Sequence, residues 1–182
     1  MKENNYAFID SQNLNLGVQK MGWKMDWRKF REFLYDKYGV THAYMFIGHM
    51  HEHEDMYVQM HDLGYLVVLK PTQDSTKPQK EEKPGAPPED KKPVKGNTDA
   101  DMVLWAMKEV KNYDKAIIVS GDGDFYSLIE YLKEQGKLLH VFAPNWQYSS
   151  LLKPFEEYVV RIDELRRELA YRDHKKRPFI KK

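Results

Sequence analysis

The chain has 182 residues, about one domain's worth, and its 29 Lys and Arg against 28 Asp and Glu leave a formal charge of +1. That balance excludes a histone-like polycation and an acidic tail protein, while 41% hydrophobic and 13% aromatic residues make a globular composition, not a disordered one. Zero cysteine removes a disulfide scaffold, a thiolate zinc site and a cysteine nucleophile. No apolar run is long enough for a signal peptide or a membrane helix, so a cytoplasmic protein with no membrane partner is expected.

The ordered elements alternate along the chain. Residues 6–10 (YAFID) read as a buried strand that ends on an acid, followed by a short helix from Asn13 to Lys20. From Asp26 to Tyr38, the spacing of Trp27, Phe30, Phe33, Leu34 and Tyr38 predicts a helix. A strand at 43–47, a helix over Glu54–Leu63 and a strand at 65–69 come next. After a long polar stretch, Thr98 to Lys111 reads as a helix and 115–120 as a strand. A helix over Phe125–Gln135, closed by Gly136, then leads to a strand at 138–142. Residues 148–153 and 162–172 are expected to be helical. Continuous apolar strands alternating with helices predict a parallel sheet covered on both faces, a three-layer α/β/α sandwich. In such sheets, chemistry belongs at the carboxyl ends of the strands.

Residues 71–95 interrupt this pattern with six of the nine prolines, six lysines mixed with acids, and no aromatic residue. Such a segment cannot bury enough apolar surface to fold alone, and it reads as a solvated insert in a domain spanning residues 1–160. Its lysines could also touch a polyanion. Residues 161–182 are expected to be a C-terminal helix and a basic tail, with eight Lys and Arg from Arg166 onward.

Acids follow the first and fourth strands. Asp10 begins Asp10-Ser11-Gln12-Asn13, and Ser120 heads Ser120-Gly121-Asp122-Gly123-Asp124-Phe125. Two glycines interleaved with two aspartates are expected to let the backbone curl so that both carboxylates face one point. The plain alternative is a strand-to-helix turn with Asp124 as N-cap. A third acidic stretch, Lys95-Gly96-Asn97-Thr98-Asp99-Ala100-Asp101, opens the fourth helix. Asp99 lies in line with Val103, Ala106 and Val110 on the apolar face, although compensation of the helix dipole would also explain it. Asp101 sits about 200° around from Asp99 and, three residues after Thr98, resembles a capping box with it.

If the first and fourth strands are neighbours, Asp10, Asp99, Asp122 and Asp124 converge on one cleft. Four carboxylates there would repel, and a hard divalent cation, Mg²⁺ or Mn²⁺, resolves the repulsion with oxygen ligands alone. Such an ion polarises a phosphodiester and activates water.

The set Asp10…Asn13, Lys95-Gly96…Asp99 and Ser120-Gly121-Asp122-Gly123-Asp124-Phe125 resembles the NYN domain of the PIN-like nuclease superfamily, particularly its LabA-like branch. The resemblance runs from about Tyr6 to Ala143. It implies a sheet ordered 3-2-1-4-5 and metal-dependent cleavage of RNA. Carried over position by position, Asp10, Asp99, Asp122 and Asp124 match the acidic cluster that serves as catalytic and metal-binding set. Asn13 matches its polar support and Ser120 the hydroxyl heading the fourth-strand motif, with Asp101 a further supporting acid. Ser11 stands where many relatives have glycine, and the polar insert before Lys95 is longer than the resemblance leads one to expect.

Other residues bear on RNA as the partner. His49, His51 and His53 follow the second strand and, with Lys95, are candidates for phosphate contact, against the plain reading of a solvated loop. Trp146, Gln147 and Tyr148 follow the fifth strand, where an aromatic side chain could either stack a base or pack in the core. A second copy of the chain is a further partner that the sequence allows. The rival readings are a non-catalytic RNA-binding or regulatory domain and an Asp10-based phosphatase. The first finds no use for four acids. The second commonly wants another acid where this chain has Gln12.

Overall fold

The computed structural model describes residues 3–48, 54–70 and 98–172. Six strands form one parallel sheet: β1 (Asn5–Asp10), β2 (Val40–Gly48), β3 (Tyr65–Lys70), β4 (Ala116–Val119), β5 (Leu138–Ala143) and β6 (Val159–Arg161). Their order is β3-β2-β1-β4-β5-β6, the expected five with a sixth strand at one edge. The helices are α1 (Ser11–Lys20), α2 (Trp27–Tyr38), α3 (Glu54–Asp62), α4 (Asp99–Lys108), α5 (Tyr126–Glu134) and α6 (Arg166–Leu169).

Strand alternation sends side chains to two separate cores. Ala7, Ile9, Met45, Ile117 and Val119 face Leu14 and Val18 of α1 and Phe30 and Leu34 of α2. Tyr6, Phe8, Phe46 and Ile118 face Met102 and Ala106 of α4 and Leu128, Ile129 and Leu132 of α5. With apolar side chains buried on both faces, the central strands have no polar face, hence their continuous apolar runs.

Local signals set the helix ends. Asp26 caps α2 by accepting from the Arg28 and Lys29 N–H groups at 3.1 and 3.3 Å, and Gly39, at φ 62°, ends it in the left-handed region. Three expectations need correction after β5. Residues 150–158 form a 3₁₀ stretch containing Pro154, which removes a helical N–H donor. The VVR run that follows is β6, too short to stand out as a strand in the sequence. Residues 162–172 are a 3₁₀ turn and the short α6, not one helix, and Ile162 and Leu169 pack into the α1/α2 core. Ala170 pairs with Met25 in an isolated bridge.

Sheet order reverses at β1, whose neighbours are β2 and β4. The carboxyl ends of β1 and β4 therefore flank a crevice where connections leave to opposite faces.

Candidate active site

Asp10 ends β1 and caps α1, its Oδ1 accepting from the Asn13 N–H at 3.0 Å. Its Oδ2 accepts from the Ser120 hydroxyl at 3.2 Å, just past the end of β4. Ser120 Oγ in turn accepts from the Asp122 N–H at 3.1 Å. Asn13 closes the bracket: its Oδ1 accepts from the Gly121 N–H at 2.9 Å, tying α1 to the loop after β4. On the other side, Ser11 donates to the Phe46 carbonyl of β2 at 2.8 Å.

Asp10 is only 6% exposed. Burial pushes its carboxyl above the usual carboxylate range, and the Asp122 charge pushes the same way, while the bonds from Asn13 and Ser120 oppose them. Among the described residues no Lys, Arg or His forms an ion pair with Asp10 or Asp122. A buried carboxylate beside another one has two ways to settle: hold a proton, or hold a cation.

The loop after β4 differs from expectation in two respects. Asp122, not Asp124, is the cap: its Oδ1 accepts from the Asp124 N–H at 3.1 Å at the start of a 3₁₀ turn over Gly123–Phe125, leaving Asp124 exposed. The glycines do not supply a left-handed curl, since neither has positive φ. They permit close approach instead. A Cβ at Gly123 would lie 2.5 Å from Ser149 Oγ, and one at Gly121 would lie 3.2 Å from both Pro144 Cδ and Tyr148 Cβ.

α4 runs antiparallel to the strands, so its first turn lies at the same sheet edge, and Lys70 at the end of β3 confirms this by pairing with Asp101 at 3.1 Å. The expected capping box is absent: Thr98, itself in the helical region at φ −86° and ψ −6°, makes no side-chain cap bond, and the Asp101 carboxylate pairs with Lys70 instead. Asp99 shares that first turn and is half-buried. The structure thus brings Asp10, Asn13, Ser120 and Asp122 into one network, with Asp99 and Asp124 on elements that flank it. Among the described residues no group of three or more His, Cys, Asp or Glu side chains is gathered to hold a metal ion, so a four-carboxylate ring is not assembled there. A pair of oxygen ligands still fits Mg²⁺, which takes one or two carboxylates and completes its shell with waters and substrate phosphate.

His49, His51, His53, Lys95, the 71–95 insert and the tail from 173 lie outside the described residues. Trp146 is 58% exposed, which excludes core packing, whereas Tyr148 is half-buried against the α4/α5 core. Sequence reading passed over Leu16, 48% exposed on α1. The signal was its place two residues from both Leu14 and Val18, off the buried stripe.

The family model for the NYN domain matches residues 6–163, spanning the sheet and the whole acid network. The chain belongs to the NYN domain family. This is a PIN-like nuclease family, and membership supports a nuclease or RNA-related role. PIN-like nucleases typically use divalent metal ions. This NYN domain is 23% identical to the low amplitude and bright protein LabA of Synechococcus elongatus over 180 residues, 95% of this chain and 90% of that protein. A crystal structure of a protein of unknown function from Vibrio parahaemolyticus superposes with a TM-score of 0.71 at 22% identity, covering 93% of this chain and 97% of that one; it bears on the fold alone. No helix among the described residues is long and apolar enough to cross a membrane.

Proposed function

We propose that this NYN domain is a metal-dependent endoribonuclease that hydrolyses RNA phosphodiester bonds at the carboxyl ends of β1 and β4. The observation that carries the reading is Asp10: buried, its carboxyl raised by burial and by Asp122, and without a cationic partner among the described residues. A carboxylate placed there for stability alone would be paired or replaced by a neutral cap.

In this reading Asp10 and Asp122 hold Mg²⁺ or Mn²⁺, which supplies Lewis acidity toward the phosphodiester and toward an attacking water. Asn13 and Ser120 fix the Asp10 carboxylate by one hydrogen bond on each oxygen, so it is aimed before substrate arrives. Ser120 also fixes the Asp122 backbone, and Asp122 keeps Oδ2 after capping the turn with Oδ1. Asp99 and Asp124 flank the pair and deepen the negative potential that draws a cation. No protein nucleophile is needed, and none of these roles asks for a second acid at Gln12.

Labelled single-stranded RNA incubated with Mn²⁺ or EDTA tests this. The wild-type chain is expected to cleave only with metal and to leave 5′-phosphate and 3′-hydroxyl ends. An Asp10→Asn/Asp122→Asn double variant should lose about a hundredfold or more in rate, as expected for removing several kcal/mol of charge stabilisation. Metal-independent cleavage leaving cyclic phosphates would transfer the chemistry to the histidines. Binding without cleavage under any metal would make the domain a regulatory RNA binder.

A further inference from the structure

We infer that the cleft between α1 and residues 144–148 is a subsite for one unpaired base, which makes the RNA substrate single-stranded beside the scissile phosphate. The inference rests on the ribonuclease reading and names the substrate class for the same site. The cleft holds about 170 Å³. That is below the usual range for drug-sized ligands, room for one flat ring system and not for a base pair.

Its position couples it to the acids. Asn13 and Gly121, bonded to each other beside Asp10, form part of its wall, and Tyr148 forms another part. Two large apolar side chains are left in solvent around it: Leu16, which lines it, and Trp146, which stands in the chain between the lining residues Asn145 and Gln147. Single exposed apolar residues need no explanation, but Leu16 inside a polar-walled cleft, with Trp146 on the segment that walls it, does. Aromatic side chains stack any base, and only an unpaired base offers its face. Lys20, at the last turn of α1, adds a cation at the same cleft for a backbone phosphate.

The cleft is also held in shape. Asn145, 6% exposed, spends its amide on structure: Nδ2 donates to the Gly17 carbonyl at 2.9 Å, and Oδ1 accepts from the Gln147 N–H at 2.8 Å. Pro144 lies so close to Gly17 that a Cβ there would clash with it. The 144–148 segment is therefore fastened to α1, and Trp146 projects from a fixed support.

Fluorescence anisotropy of the full chain in EDTA tests this, with a short labelled RNA presented as a single strand and as a blunt duplex. The wild type should favour the single strand. Trp146→Ala should weaken single-strand binding about tenfold or more while leaving duplex binding unchanged, and Trp146→Phe should retain most of the preference. Single-strand affinity unchanged in Trp146→Ala, or lost equally on both RNAs, would overturn the base subsite alone. A wild type that binds neither RNA, or both alike, would also overturn the subsite, while the ribonuclease reading is decided separately by cleavage with Mn²⁺ against EDTA.

Discussion

At the end of β6, Arg161 meets Asp163 through Nη2–Oδ2 at 2.6 Å and Nε–Oδ1 at 3.2 Å, with Glu164 at 3.0 Å from Nη1. At the end of β1, three strands away on the same sheet, Asp10 meets Asp122 with a serine hydroxyl and backbone N–H groups between them and no cation among the described residues. Both clusters put acids at the carboxyl edge of parallel strands. The first carries its own counter-charge: the acids hold the Arg161 proton more firmly than usual, chiefly through the hydrogen bond to Asp163. The second has no counter-charge among the described residues, and burial, with the Asp122 charge adding to it, pushes the Asp10 carboxyl up. A carboxylate cluster kept for stability carries its own counter-charge, and one kept for chemistry leaves that place to a ligand.

The comparison breaks if substitutions at the two places act alike. Arg161→Ala strips the donors from Asp163, whose side chain is only 10% exposed. Stability should fall by about 1–2 kcal/mol, moderated because the arginine itself is partly solvated. Chemical denaturation reads this directly, and an unchanged midpoint would reduce the β6 cluster to a surface ornament.

Asp10→Asn should act in the opposite direction, and its effect should depend on pH. Asparagine is an equally good N-cap, so its Oδ1 keeps the Asn13 N–H, and its Nδ2 can donate to Ser120 Oγ. The sign follows from the raised carboxyl. Between the ordinary Asp value near 3.9 and the higher folded value, the native state binds more protons than the unfolded chain. Wild-type stability is therefore lost as pH rises through that interval and then levels. In EDTA the variant should match the wild type below about pH 4 and exceed it near neutrality. Melts across pH check this; a variant less stable at every pH would make Asp10 a purely structural cap.

Much of this contrast was legible in the sequence. Strand–helix alternation gave five of the six strands, because buried parallel strands write themselves as apolar runs, and Gly136, at φ 67°, ends α5 as expected. Asp10 and Ser120 stood out because each directly follows such a run, and Asp122 because it lies two residues beyond Ser120. Less legible were features decided by partners distant in the chain. Asp101 reads as a capping residue until Lys70 arrives from β3. Gly121 and Gly123 read as flexible turn residues until the 144–151 segment packs on them. β6 has only three residues and follows a proline-containing 3₁₀ stretch, so no periodicity announces it. The exposure of Trp146 depends on where the loop after β5 is fastened, a matter settled by Asn145 and Gly17.

The most direct test of an uncompensated carboxylate pair is a thermal melt of the wild type and Asp122→Asn, in EDTA and with increasing Mn²⁺. The asparagine keeps the cap on the Asp124 N–H and removes only the charge that adds to burial in raising Asp10. In EDTA the variant should melt above the wild type. With Mn²⁺ the wild type should rise with concentration, by about 2.7 kcal/mol at a hundred times the dissociation constant, and the variant should barely move. A variant that melts lower in EDTA, with both proteins responding equally to Mn²⁺, would contradict the assignment and leave Asp122 a turn residue.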